Sequence, residues 1–98
     1  MNAVKRVEVV MEAAHTPHLL KCLRDVGVPG YTVIRDVHGM GDRGERGGDE
    51  FAGVYRNCYV LVACPAETVD ALATAVRPLL DRYGGLWLVS DAEMLRGG

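Results

Sequence analysis

Hydrophobic and polar positions alternate with a period of two along "KRVEVVM", Lys5 to Met11. Val7, Val9 and Met11 lie on one side, Arg6 and Glu8 on the other, with Val10 a further apolar residue on that second side. This pattern predicts a first β-strand. The period then changes: Leu19, Leu20, Leu23 and Val26 fall on one helical stripe, between a start signal at Thr16-Pro17 and a stop at Gly27. A helix is predicted there, with Thr16 as its N-cap and Pro17 in its first turn. After Pro29-Gly30 the β-branched run "YTVIRDVHGM" predicts a second strand from Tyr31 to Met40. "NCYVLVAC", Asn57 to Cys64, is apolar on both faces, which predicts a central strand covered on both sides. Val69, Leu72, Ala73, Val76, Leu79, Leu80 and Tyr83 then recur at helical spacing up to Gly84, with a bend expected at Pro78. "LWLVSD" predicts a fourth strand, and the tail from Ala92 a short, fraying element.

The order βαββαβ predicts an α+β, ferredoxin-like fold: a four-stranded antiparallel sheet with both helices on one face. The opposite face is then bare. Val10, Trp87 and Val89 are expected to lie on it, so a second copy of the chain is expected to cover it. The length, 98 residues, suits one domain over residues 1–98.

Charge removes one class of function. A net charge of −2 provides no basic footprint for nucleic acid. Glu8 and Glu12 break the first apolar run, so it reads neither as a signal peptide nor as a membrane span. Cys22, Cys58 and Cys64 form no CxxC and leave an odd cysteine over, which suits a reducing compartment; a cytoplasmic location is expected.

The unusual stretch is "VHGMGDRGERGGDEF", Val37 to Phe51. Its spelling contains GxGxxG after a strand, but a dinucleotide site needs a helix to start at the third glycine. Gly47-Gly48 forbid one, and no GK[ST] ending makes a P-loop. Two readings stay open. Glycines after a strand let backbone amides converge on an anion, and Arg43 and Arg46 add guanidinium forks suited to phosphate. Alternatively, residues Asp42 to Tyr55 form a solvated hairpin extension.

These residues resemble the PII-type signalling proteins, most sharply in "GYTVIRDVHGMG" with its GxG at the mouth of a long loop between the second and third strands. The chain departs from the nitrogen-regulating branch of that family. It lacks the tyrosine-bearing loop tip, its second Gly-rich loop is cut to Tyr83-Gly84-Gly85 without the lysine, and its tail carries one arginine, Arg96. It is thus more similar to the divergent carbon-associated branch, the carboxysome-associated and bicarbonate-transporter-associated PII-like proteins.

The resemblance implies a homotrimer that binds an adenine nucleotide in clefts between subunits. ADP and AMP are the first candidates, followed by ATP and cyclic AMP, with bicarbonate as a second ligand and no further cofactor or metal. Occupancy would pass through the T-loop, about residues 42–55, to a protein target such as a membrane transporter or a carboxysome-associated protein. It further implies that Thr32 lines the adenine pocket and that Gly39, Met40 and Gly41 offer amides to the phosphates. Arg43 and Arg46 would close on them, Gly84, Gly85 and Leu86 would form the opposing wall, and Arg96 would reach in from the C-terminal segment.

Two rival functions compete with the regulatory one. Acylphosphatases share the fold and length, but their phosphate loop after strand one carries an arginine, and here that place reads "EAAHTP". A trimeric metal-binding protein of the copper-tolerance type would use His15, His18 and Cys22; against it, Cys22 edges the apolar stripe as a small hydrophobe. Neither displaces the regulatory reading.

Overall fold

The computed structural model describes residues 1–41, 44–46 and 56–96, and the side chains of all of these except 40, 41 and 44–46. The predicted order holds, with the first and last strands of the chain longer than expected and a short strand pair added between the second and third. β1 (Asn2–Glu12) leads through a 3-10 turn (Ala13–His15) into α1 (Thr16–Val26). β2 (Thr32–Val37), the short β3 (Gly39–Gly41) and β4 (Gly44–Arg46), and β5 (Asn57–Cys64) follow. α2 (Ala66–Tyr83) and β6 (Leu86–Met94) complete the chain. The main sheet has the order β2-β5-β1-β6, with every neighbouring pair antiparallel. This is the ferredoxin-like arrangement expected from the sequence.

The core lies between the sheet and the two helices. Val7, Val9 and Met11 from β1 and Val60, Val62 and Cys64 from β5 meet Leu19 and Leu23 of α1 and Leu72 and Val76 of α2, all essentially inaccessible. Each such side chain contributes roughly 1.5–3 kcal/mol by leaving water. α2 runs unbroken through Pro78.

Four local expectations are corrected. Thr16 does not cap α1, because the 3-10 turn runs directly into the helix. Thr16 already has helical dihedrals (φ −56°, ψ −42°) and gives its N–H to Ala13. Its side chain is buried. The tail does not fray at Ala92, because the antiparallel register carries β6 on to Met94 opposite Asn2.

Trp87 and Val89 do not lie on the bare face. Their register opposite Val9 and Val7 turns them to the helix side, where Trp87 packs on the core. The second predicted strand is not continuous to Met40. A bulge between Arg35 and Val37 ends its regular pairing with β5, and Asp36 takes a left-handed conformation, φ 61°. The chain leaves the sheet there, and Gly39–Gly41 pair instead with Gly44–Arg46.

A non-glycine residue at positive φ is strained by its Cβ, although aspartate tolerates the region better than most. Asp36→Gly is therefore expected to raise stability by about 0.5–1 kcal/mol, reduced by loss of its exposed ion pair to Arg56. Chemical denaturation read by circular dichroism checks this.

Candidate functional site

The sheet has a distinct loop end, where β1 finishes, β5 and β6 begin, and β2 delivers the chain to the glycine segment. Three contacts build this end. The Ala13 N–H donates to the Arg56 carbonyl at 2.6 Å, tying the return of the long loop to the end of β1. Arg56 also faces Asp36 at 3.5 Å, so an ion pair joins the two roots of the loop. His15 stacks on Tyr83 with ring centroids 3.6 Å apart, fixing the end of α2 just before Gly84-Gly85. Gly84 then returns its N–H to Leu80 at 2.8 Å as the helix closes.

The two glycine segments play different structural roles. Gly39 is open, with no heavy atom within 4 Å of where a Cβ would stand. Gly39, Met40 and Gly41 pair antiparallel with Arg46, Glu45 and Gly44. Alternate residues of such a pair exchange both backbone bonds with the partner strand. Part of the amide set therefore faces the hairpin rather than a ligand. Gly85, by contrast, lies against the sheet. Its φ is +125°, and a Cβ there would stand 2.6 Å from the Val10 carbonyl oxygen. Only glycine permits this approach.

The sequence-predicted site residues divide by location. Thr32 is exposed near the start of β2, an edge strand, and Gly39–Gly41 follow the far end of that strand. Gly84, Gly85 and Leu86 lead into β6, the opposite edge, with Leu86 paired to Val10. Both glycine segments are thus at the loop end. Three strand spacings, about 14 Å, separate the edges they belong to. Arg96 follows β6, whose last residues pair with Asn2, so it belongs to the other end of the sheet, about 27 Å along the strand from Leu86. Arg43 lies outside the described residues; Arg46 is placed in β4 opposite Gly39. One copy of the chain does not bring the proposed walls together.

Sequence reasoning missed Arg56, Glu8 and Tyr59. Arg56 carries a charge beside the glycine segment, but its pairing to Asp36 depends on the bulge, which no periodicity reveals. On the helix-free face the Tyr59 hydroxyl donates to Glu8 Oε2 at 2.7 Å. That bond is the main reason the Tyr59 phenol is pushed above its ordinary range, with burial and the Glu8 charge adding to it. The predicted metal candidates serve elsewhere: His15 stacks on Tyr83, His18 is exposed on α1, and the Cys22 thiol approaches the Ala75 carbonyl at 3.6 Å. Among the described residues, no group of three or more His, Cys, Asp or Glu is placed to hold a metal ion. Among them, too, no helix is long and apolar enough to cross a membrane.

Between its second and third core strands this ferredoxin-like sheet carries a long glycine-bearing stretch of sequence, residues 38–56. The chain belongs to the nitrogen regulatory protein P-II family, whose model matches residues 4–98. Solved structures agree. The chain is similar to CPII, a nitrogen regulatory PII-like protein from Thiomonas intermedia K12, in its form bound to ADP, AMP and bicarbonate. The match has 26% identity and a TM-score of 0.84, covering 98% of this chain and 97% of that one. The form bound to ADP and bicarbonate matches at 25% identity and a TM-score of 0.85, covering 97% and 91%. The form bound to ADP, AMP and acetate matches at 26% and 0.80, covering 96% and 90%. Among curated proteins, none matches the chain.

Proposed function

We propose that this protein is a homotrimeric, cytoplasmic regulator that binds ADP or AMP in clefts between subunits, with bicarbonate as a second ligand. The observation that carries this reading is the division of the site. The Gly39–Gly41 segment and the Gly84–Leu86 wall share the loop end of the sheet but belong to opposite edges, with Thr32 further along the β2 edge. A neighbouring copy packed head to tail sets the β2 edge of one subunit beside the β6 edge of the next, completing a cleft that neither has alone. Three copies close such a ring. The likeness to a CPII bound to ADP, AMP and bicarbonate supports this choice of ligands. Residues 42–55 then pass occupancy to a protein target, in the control of inorganic carbon metabolism, with a membrane transporter or a carboxysome-associated protein as the partner class.

Calorimetry with ADP, AMP, ATP and cyclic AMP, each with and without bicarbonate, tests the reading. Saturable heat with ADP or AMP is expected, and silence with all four nucleotides overturns it. Replacing Arg43 and Arg46 together by alanine is expected to weaken nucleotide binding by at least ~1.5 kcal/mol, the scale of one charge-assisted hydrogen bond.

A further inference from the structure

The helix-free face of the sheet is apolar at its edges and polar at its centre. Reading across it by register beyond the Asn57–Glu12 pair at the loop end, the first row that spans all four strands is Ile34, Tyr59, Val10 and Leu86, and the next is Thr32, Leu61, Glu8 and Leu88. The third row holds Ala63, Arg6 and Ser90. Ile34, Leu86 and Leu88 are each about half exposed, at 51%, 49% and 49%, more apolar surface than a sheet face usually leaves to water. Within this face a carboxylate stands between two leucines. Glu8 accepts from the Tyr59 hydroxyl at 2.7 Å, and Arg6 Nε lies 3.5 Å from its other oxygen. Arg6 Nε in turn donates to Ser90 Oγ at 3.1 Å. The chain of contacts thus crosses three adjacent strands, β5, β1 and β6.

Covering this face with another copy desolvates the network. A buried ion pair contributes little net stability over apolar residues of the same shape, yet removing one partner leaves the other uncompensated. Such a network tolerates only those alignments of the covering copy that keep its bonds intact. A uniformly apolar face would accept several. We infer that the Arg6–Glu8–Tyr59–Ser90 network sets the stoichiometry and register of self-association, admitting one alignment of a second copy of this chain on the helix-free face. The inference rests on the homotrimer proposed above.

Sedimentation velocity and native mass spectrometry on the full chain, Tyr59→Phe and Glu8→Leu test it, with circular dichroism confirming that each variant folds. The wild-type chain is expected to form one discrete trimer. Tyr59→Phe, which deprives Glu8 of its donor without altering the shape of the face, is expected to raise the dissociation constant at least tenfold. Glu8→Leu is expected to associate as tightly as wild type or more so, but to spread over several stoichiometries. If Glu8→Leu does not fold, the Tyr59→Phe result decides alone. A wild-type trimer matched in both affinity and stoichiometry by each folded variant overturns the inference. A monomeric wild type instead overturns the trimer on which it rests.

Discussion

Gly85→Ala is expected to destabilise the protein by about 2–4 kcal/mol, the range for a strained backbone combined with a core clash. Two independent costs act together. At φ +125° a side chain is disfavoured whatever its surroundings. The new methyl carbon would also stand 2.6 Å from the Val10 carbonyl oxygen and 3.3 Å from Met11 Cβ, on a strand held in the middle of the sheet. Neither neighbour can yield easily. Val10 pairs with Tyr59 on one side and Leu86 on the other, and Met11 belongs to the buried core. A thermal midpoint at least about 10 °C below wild type, at matched protein concentration, is the expected reading. Because Gly85 immediately precedes Leu86 in the proposed ligand wall, nucleotide binding is expected to fall as well. The matched control is Gly30→Ala, where nothing lies within 4 Å of the added carbon and a shift of less than about 1 kcal/mol is expected. A melting curve for Gly85→Ala that overlays wild type would show that the α2–β6 junction adjusts without cost.

The sequence made the architecture legible because period is a local property. Val7, Val9 and Met11 announce a strand, and Leu19, Leu23 and Val26 a helix, without knowledge of any partner. What period cannot supply is the parity of a strand relative to its neighbours. Trp87 and Val89 alternate with Leu86 and Leu88, and both sets are apolar, so either satisfies the pattern. The pairing of Val9 with Trp87 decides between them, and that is a long-range fact. The same limit hid the break at Asp36, since "VIRDV" reads as uninterrupted strand and only the shifted register against β5 exposes the extra residue. Glycine hides still more. Gly39, Gly41 and Gly44 have no side chains to alternate, so the β3–β4 pairing left no trace in the hydropathy pattern. The Gly39–Gly41 segment was legible as a candidate from its glycines after a strand, and the Gly84–Leu86 segment only through the resemblance to the PII-type proteins; their separation on opposite sheet edges was legible in neither.

That separation makes one substitution decisive. Ile34→Glu is expected to convert the proposed trimer to monomers, weakening association on the order of 100-fold or more, because it places an unpaired carboxylate on the face that a second copy covers in that trimer. Ile34 is 51% exposed on edge strand β2, opposite Tyr59, so a polar replacement costs the isolated subunit little. Its fold is expected to survive. Ala71→Glu, on the exposed side of α2 and away from that face, serves as the control and is expected to remain trimeric. If the Gly39–Gly41 wall and the Gly84–Leu86 wall of one ligand site come from different copies, monomerisation must abolish nucleotide binding. It does so although Ile34→Glu leaves every glycine and arginine of the candidate site unchanged. Sedimentation and calorimetry at one protein concentration therefore separate two models. A monomer that gives no heat with ADP or AMP, beside an Ala71→Glu trimer that does, places the site between subunits. A folded monomer that binds with wild-type affinity would instead confine the site to one chain, and would require Gly39–Gly41 and Gly84–Leu86 to act apart, since the sheet keeps them on opposite edges.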